Sequence, residues 1–253
     1  MLRRCLLLLA VWFVAGCAAQ TVPPAAKSSI RNVAVISLIG DTVSFEKFGL
    51  TIFNNSYKEA VLELGLDRLA TEAVQSALRR RNPAISLVAL AYDRAALNPV
   101  YLQKTVNLAF EDYVDPARIA APLRQLTAGT AVDTLILITR ARLQHALDAP
   151  GTHEGPGVMM TSAAVGPPMR VLPYAVLRIY VLDARSLQPI AQHTDVAKET
   201  RYYEGSIFNL PPPTPITKEV SVPLAPAEEA FVRAELQRII PATLDGMVVR
   251  IGL

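Results

Sequence analysis

Eight residues, VDTLILIT at 132–139, constrain this chain more than any others. Their centre has no polar face, so a strand here must be covered on both sides, which calls for layers above and below a sheet. Residues 32–39 (NVAVISLI) read the same way, as a second doubly covered strand. Beyond Thr139 the sequence alternates as RARLQ, so the far end of that strand is expected to face water on one side. An apolar share of 51% favours a globular body over disorder.

Helical spacing fills the gaps between strands. Leu66, Leu69, Ala73 and Ala77 recur along 65–81, and Arg79, Arg80 and Arg81 stand where a helix dipole favours cations. These three arginines are read as a solvated helix end, with a phosphate or lipid-headgroup site as the alternative. Asn82-Pro83 stops the helix, and residues 84–90 form a further apolar strand. Asp115-Pro116 opens a helix through Ile119, Leu123 and Leu126 to Gly129, and residues 91–113 show only weak helical spacing. Residues 149–170, rich in Gly, Pro and Ser, read as a long loop. Residues 171–183 and 188–200 form an antiparallel hairpin. Residues 204–218, with Pro211-Pro212-Pro213, are an extended loop. A last helix spans 227–240, and Pro241 kinks or ends it. Strand–helix alternation followed by a meander gives an α/β domain with a mixed sheet of about five strands and helices packed on it.

The amino terminus carries a different signal. Arg3 and Arg4 precede an apolar run at 5–14 that is too short to span a bilayer and fits an export signal. Val14-Ala15-Gly16-Cys17 then resembles the lipobox of bacterial lipoproteins. The resemblance implies cleavage before Cys17, guided by Val14, Ala15 and Gly16. It also implies an S-diacylglycerol on the Cys17 thiol and an N-acyl chain such as palmitate on its new amino group. Three acyl chains exceed the two signals that stable anchoring needs. Ala18 in place of Asp implies sorting to the outer membrane. The chain thus divides into a signal peptide (1–16), a lipid-anchored tether (17–30) and a single periplasmic domain (31–253).

Loss of Arg3 and Arg4 takes the formal charge from +3 to +1, which gives no electrostatic case for nucleic acid. Cys5 leaves and Cys17 carries lipid, so no thiol remains for a disulfide, structural zinc or nucleophilic catalysis. The core alone must hold the fold, and a domain of about 220 residues buries some 70% of its unfolded surface.

Three chemistries deserve a test. Residues 33–45 (VAVISLIGDTVSF) run a strand into Gly40-Asp41-Thr42, which resembles the Gly-Asp-Ser of GDSL-type esterases, with Thr42 as the nucleophile. Such a site needs a His base and an Asp to orient it. That family places Asp and His three apart near the C-terminus, whereas Arg142, Pro150 and Ile190 stand three before His145, His153 and His193. The better reading is a turn in which Asp41 bonds back to local backbone. His193 and Asp195 share a strand face and could begin a metal site, but nothing else converges, so a solvated strand edge is favoured and no metal is expected. Glu111, Asp112 and Asp115 read as a solvated turn, and Gly155-Pro156-Gly157 lacks the Lys of a phosphate loop. The long loops also fail as membrane hairpins, because their prolines, glycines and charges spoil spanning strands. Met159, Met160, Ile207, Phe208 and Leu210 are candidate partner-contact tips on them.

Three segments together resemble the periplasmic α/β domain of the curli-secretion lipoprotein and the amino-terminal domain of the Tol-Pal system beta-propeller protein. They are GLDRLATEAVQSALRRRNPAISLVAL, IAAPLRQLTAGTAVDTLILITRARLQ and AVLRIYVLDARSLQPIAQ, with Ala131-Val132-Asp133 and Asp183 at the motif positions. The chain departs from the pattern at Thr130, where Gly is usual, and at Ser186-Leu187, where Thr-Gly is usual. The resemblance implies an anticodon-binding-like fold and a non-catalytic envelope scaffold or protein-binding module, with no cofactor beyond the lipid. Expected partners are the membrane, through the anchor, and another envelope protein or a second copy. An oligomeric secretion or pore component is the alternative, with a periplasmic hydrolase third.

Overall fold

The computed structural model describes residues 20–49, 53, 55–94, 97, 119–144, 146–147, 152–161, 170–198 and 214–253. In chain order these form α1 (Pro24–Lys27), β1 (Asn32–Ser37), β2 (Thr42–Phe48), β3 (Ser56–Val61), α2 (Leu66–Arg81) and β4 (Ser86–Leu87). Then follow α3 (Ala120–Thr127), β5 (Thr134–Arg140), β6 (Arg142–Gln144), β7 (Thr152–Thr161), β8 (Arg170–Asp183), β9 (Pro189–Lys198) and α4 (Pro226–Arg250). The class is mixed α/β, with nine strands among the described residues rather than about five.

The sheet is mixed because β1 runs parallel to β4 and β5, and β2 parallel to β7, while the other pairs are antiparallel. The long strand β8 organises it. β7 pairs along residues 170–176 of β8 and β5 along 177–183, so the two share one edge in succession. β9 lies along the other edge and completes the hairpin read from sequence. Asp183 closes that hairpin by accepting the Arg185 and Ser186 amides and the Ser186 hydroxyl. These bonds hold its carboxyl below the ordinary range.

β1 and β5 are buried on both faces. Val33, Val35, Ile136 and Ile138 face α2 and α4, within the larger core. Ala34, Ile36, Leu135 and Leu137 face the opposite way, toward Ile119 and Leu123 of the α3 region. A third cluster joins Ala141, Leu147, Met159, Leu172, Tyr174 and Val176. Asp133, the motif position before β5, accepts the Arg31 and Asn32 amides and so sets the start of β1.

Four expectations change, the first being that the strand expected over 84–90 shortens to Ser86–Leu87. Residues 152–161, read as loop, form β7. Gly157 is required there, since a Cβ would stand 2.4 Å from the Tyr174 ring and 2.5 Å from Ser44 Oγ. Pro156 is tolerated because the ladder to β2 begins only at Gly157. Helix α4 passes through Pro241 and ends at Arg250. An interior proline costs about 3 kcal/mol. Beyond it Leu244, Met247, Val248 and Ile251 are all buried, each contributing about 1.5–3 kcal/mol, so burial wins. Asp41 is not a local turn residue: its carboxylate accepts the Leu66 amide at 2.9 Å and the Gly65 amide at 3.2 Å, satisfying the first turn of α2 from 25 residues away.

Candidate functional site

Residues 20–30 bear most directly on the anchor reading. They were expected as part of a spacer, and they are packed. The Gln20 and Gln192 backbones exchange two hydrogen bonds of 3.1 Å. The Val22 amide donates to the Ile251 carbonyl at 2.8 Å. Val22 and Ile30 are buried in the main core, because two apolar side chains bracket the Pro24–Lys27 turn and reach the end of α4. Val14, Ala15, Gly16 and Cys17 lie outside the described residues.

This segment borders a recess of about 560 Å³, lined by Lys27, Ile30, Arg80, Arg81, Asn82, Val249, Gly252 and Leu253. Arg80 and Arg81 share one carboxylate, Asp245, at 2.8 and 3.4 Å. The arginine run is therefore partly a helix–helix clamp between α2 and α4 as well as an exposed helix end.

The most deeply buried polar constellation spans β2, β7 and β8. Glu46 accepts from Tyr174 Oη at 2.9 Å through Oε1, and its Oε2 lies 2.6 Å from His153 Nδ1. Tyr174 also shares a 3.0 Å bond with Ser44 Oγ. Phe48 and Tyr174 meet the His153 ring edge-on. Burial, with the neighbouring Glu46 charge, holds the Tyr174 hydroxyl well above its usual range, so it stays a donor. Among the described residues His153 Nε2 has no partner. With Nδ1 toward Glu46, Nε2 is the one polar atom of the set left without a partner. Sequence reasoning missed this pairing, because the two residues stand 107 positions apart and His153 lay in an apparent loop.

The other singled-out residues fall apart in space. Met159 and Met160 are interior residues of β7, so neither forms the contact tip expected of it. Ile207, Phe208, Leu210, His145, Glu111, Asp112, Asp115 and Pro116 lie outside the described residues. Thr42 begins β2, and its carbonyl accepts from Arg140. His193 lies 3.9 Å from Asp195, which pairs with Arg250. Burial depresses His193, and Arg250 adds to this against the pull of Asp195. Among the described residues no three His, Cys, Asp or Glu side chains group as metal ligands, and no helix is long and apolar enough to cross a membrane. Among the described residues, three of the five exposed large apolar side chains lie on or just before β3: Phe53 is 90%, Tyr57 57% and Val61 77% exposed.

No family model and no curated protein matches the chain. Among solved structures it is similar to the hypothetical protein CT253 from Chlamydia trachomatis, at 15% identity over 86% of this chain and 97% of that one, with a TM-score of 0.34. It is also similar to lipoprotein GNA1162 from Neisseria meningitidis, at 10% identity over 67% and 83%, with a TM-score of 0.27. A third is the LpoB C-terminal domain from Salmonella enterica, at 12% identity over 73% and 87%, with a TM-score of 0.26.

Proposed function

We propose that this chain is an envelope lipoprotein, acylated at Cys17, held at the outer membrane facing the periplasm, and acting without catalysis as a protein-binding module. The observation that carries the reading is the docked segment directly downstream of the lipobox-like VAGC. A chain that locks at Gln20 is built to be held by something just before it. The buried carboxylate of Glu46 is likewise taken up by His153 and Tyr174 rather than presented to solvent.

The contact surface of this proposal is the β3 edge. Among the described residues β3 pairs only with β2, and edge strands offer backbone groups for strand addition. Tyr57 and Val61 project from it.

A photo-crosslinking residue at Val61, in intact cells, tests the binding role, with the same probe at exposed Glu72 on α2 as control. One heterologous envelope adduct from Val61 and none from Glu72 supports it. A ladder of self-adducts moves the protein to the oligomeric secretion or pore class. No Val61 adduct contradicts the β3 surface.

A further inference from the structure

We infer that the recess around Lys27, Arg80 and Arg81 is a face for anionic lipid headgroups, pressed to the bilayer by the short reach from Cys17. The orientation rests on the anchor reading above; the headgroup affinity does not need it. Two residues, Ala18 and Ala19, separate Cys17 from Gln20, a span of at most about 11 Å even when extended. Gln20 is tied to Gln192 of β9, and Val22 to Ile251 at the end of α4. Acyl chains on Cys17 therefore keep Gln20 within about 11 Å of a lipid surface, comparable to the Debye length of roughly 8–10 Å near physiological salt.

What stands at that end suits such a surface. Among the described residues Lys27 has no ion-pair partner, and Arg79 is exposed on the last turn of α2. With Arg80 and Arg81 these make four cations, of which Arg80 and Arg81 share Asp245. Glycine at 252 keeps the wall low beside Lys27, since a Cβ there would stand 3.2 Å from Nζ. Val249, 48% exposed, and Ile30 add apolar wall beside the cations. A phosphodiester headgroup joined to glycerol and acyl chain presents the complementary sequence of charge and grease.

The test uses the chain from residue 17 with Cys17→Ser, so that binding cannot come from the anchor. It is floated with vesicles of phosphatidylglycerol and phosphatidylethanolamine, or of phosphatidylcholine alone. The expected result is salt-sensitive binding to the anionic vesicles only. Lys27→Gln weakens it about fivefold and Lys27→Gln/Arg80→Gln about twentyfold, following the usual contribution of each surface cation. Lys27→Gln breaks no ion pair, so it remains informative if the double variant fails to fold. Arg68→Gln, on the first turn of α2, leaves binding unchanged. No binding to anionic vesicles, or binding indifferent to Lys27 and Arg80, overturns the inference while leaving acylation of Cys17 untouched.

Discussion

His153 Nδ1 lies 2.6 Å from Glu46 Oε2, between β7 and β2, with both side chains buried. A buried carboxylate that accepts from an imidazole and from Tyr174 is tolerable only while both partners are present. Glu46→Leu strands two buried donors and is expected to cost about 3 kcal/mol in urea unfolding. In a double-mutant cycle with His153→Leu, the coupling should exceed about 1 kcal/mol. Additive losses would show that the contact contributes nothing beyond its neighbours.

Gly157→Ala should be among the most damaging small substitutions. Its Cβ would meet Tyr174 and Ser44 at 2.4 and 2.5 Å in packed interior. A loss of about 1–3 kcal/mol is expected, as for other overpacked cores. Gly246→Ala is the control, since nothing lies within 4 Å of a Cβ there. Equal stability of the two variants would contradict the close approach.

Asp41→Ala should unfasten the start of α2. The carboxylate holds the Gly65 and Leu66 amides, and losses of this kind typically cost about 1 kcal/mol. Hydrogen exchange should quicken in the first turn of α2 before it does so in α4. Uniform protection across α2 would mean that the first turn is held without Asp41.

Acid should erase the contribution of Glu219. Hydrogen bonds from Lys58 first, then Lys47 and Ser56, hold its carboxyl at about 2, against an ordinary 4.5. A carboxyl depressed in the fold stabilises it above the unfolded value and loses that effect as pH falls through the folded one. The stability gap between the wild type and Glu219→Gln should therefore be full above about pH 4.5 and shrink toward pH 2. A gap independent of pH would exclude the ion pair as its source.

Much of this architecture was legible in the residues. LILI and VAVIS have no polar face, and both became central strands covered on two sides. The β8–β9 hairpin followed from local patterning, Asp183 at its turn from the resemblance, and Leu66–Arg81 from helical spacing. Long-range compensation was not legible. Gly155-Pro156-Gly157 reads as a breaker until Tyr174 is placed across from Gly157. Pro241 reads as a stop until four buried residues beyond it are counted against one lost hydrogen bond. Val22 and Ile30 read as spacer because two isolated apolar residues among Pro, Ala and Ser carry no periodicity. The Glu46–His153 pair has no local signature, and it arises only when β2 and β7 run side by side.

The most direct measurement is the intact mass of the mature protein recovered from separated inner-membrane, outer-membrane and aqueous fractions. The account predicts a chain beginning at Cys17, carrying diacylglycerol and a third acyl chain, in the outer-membrane fraction, with Cys17→Ser retained as unprocessed precursor. A mature chain free of fatty acid in the aqueous fraction would contradict it.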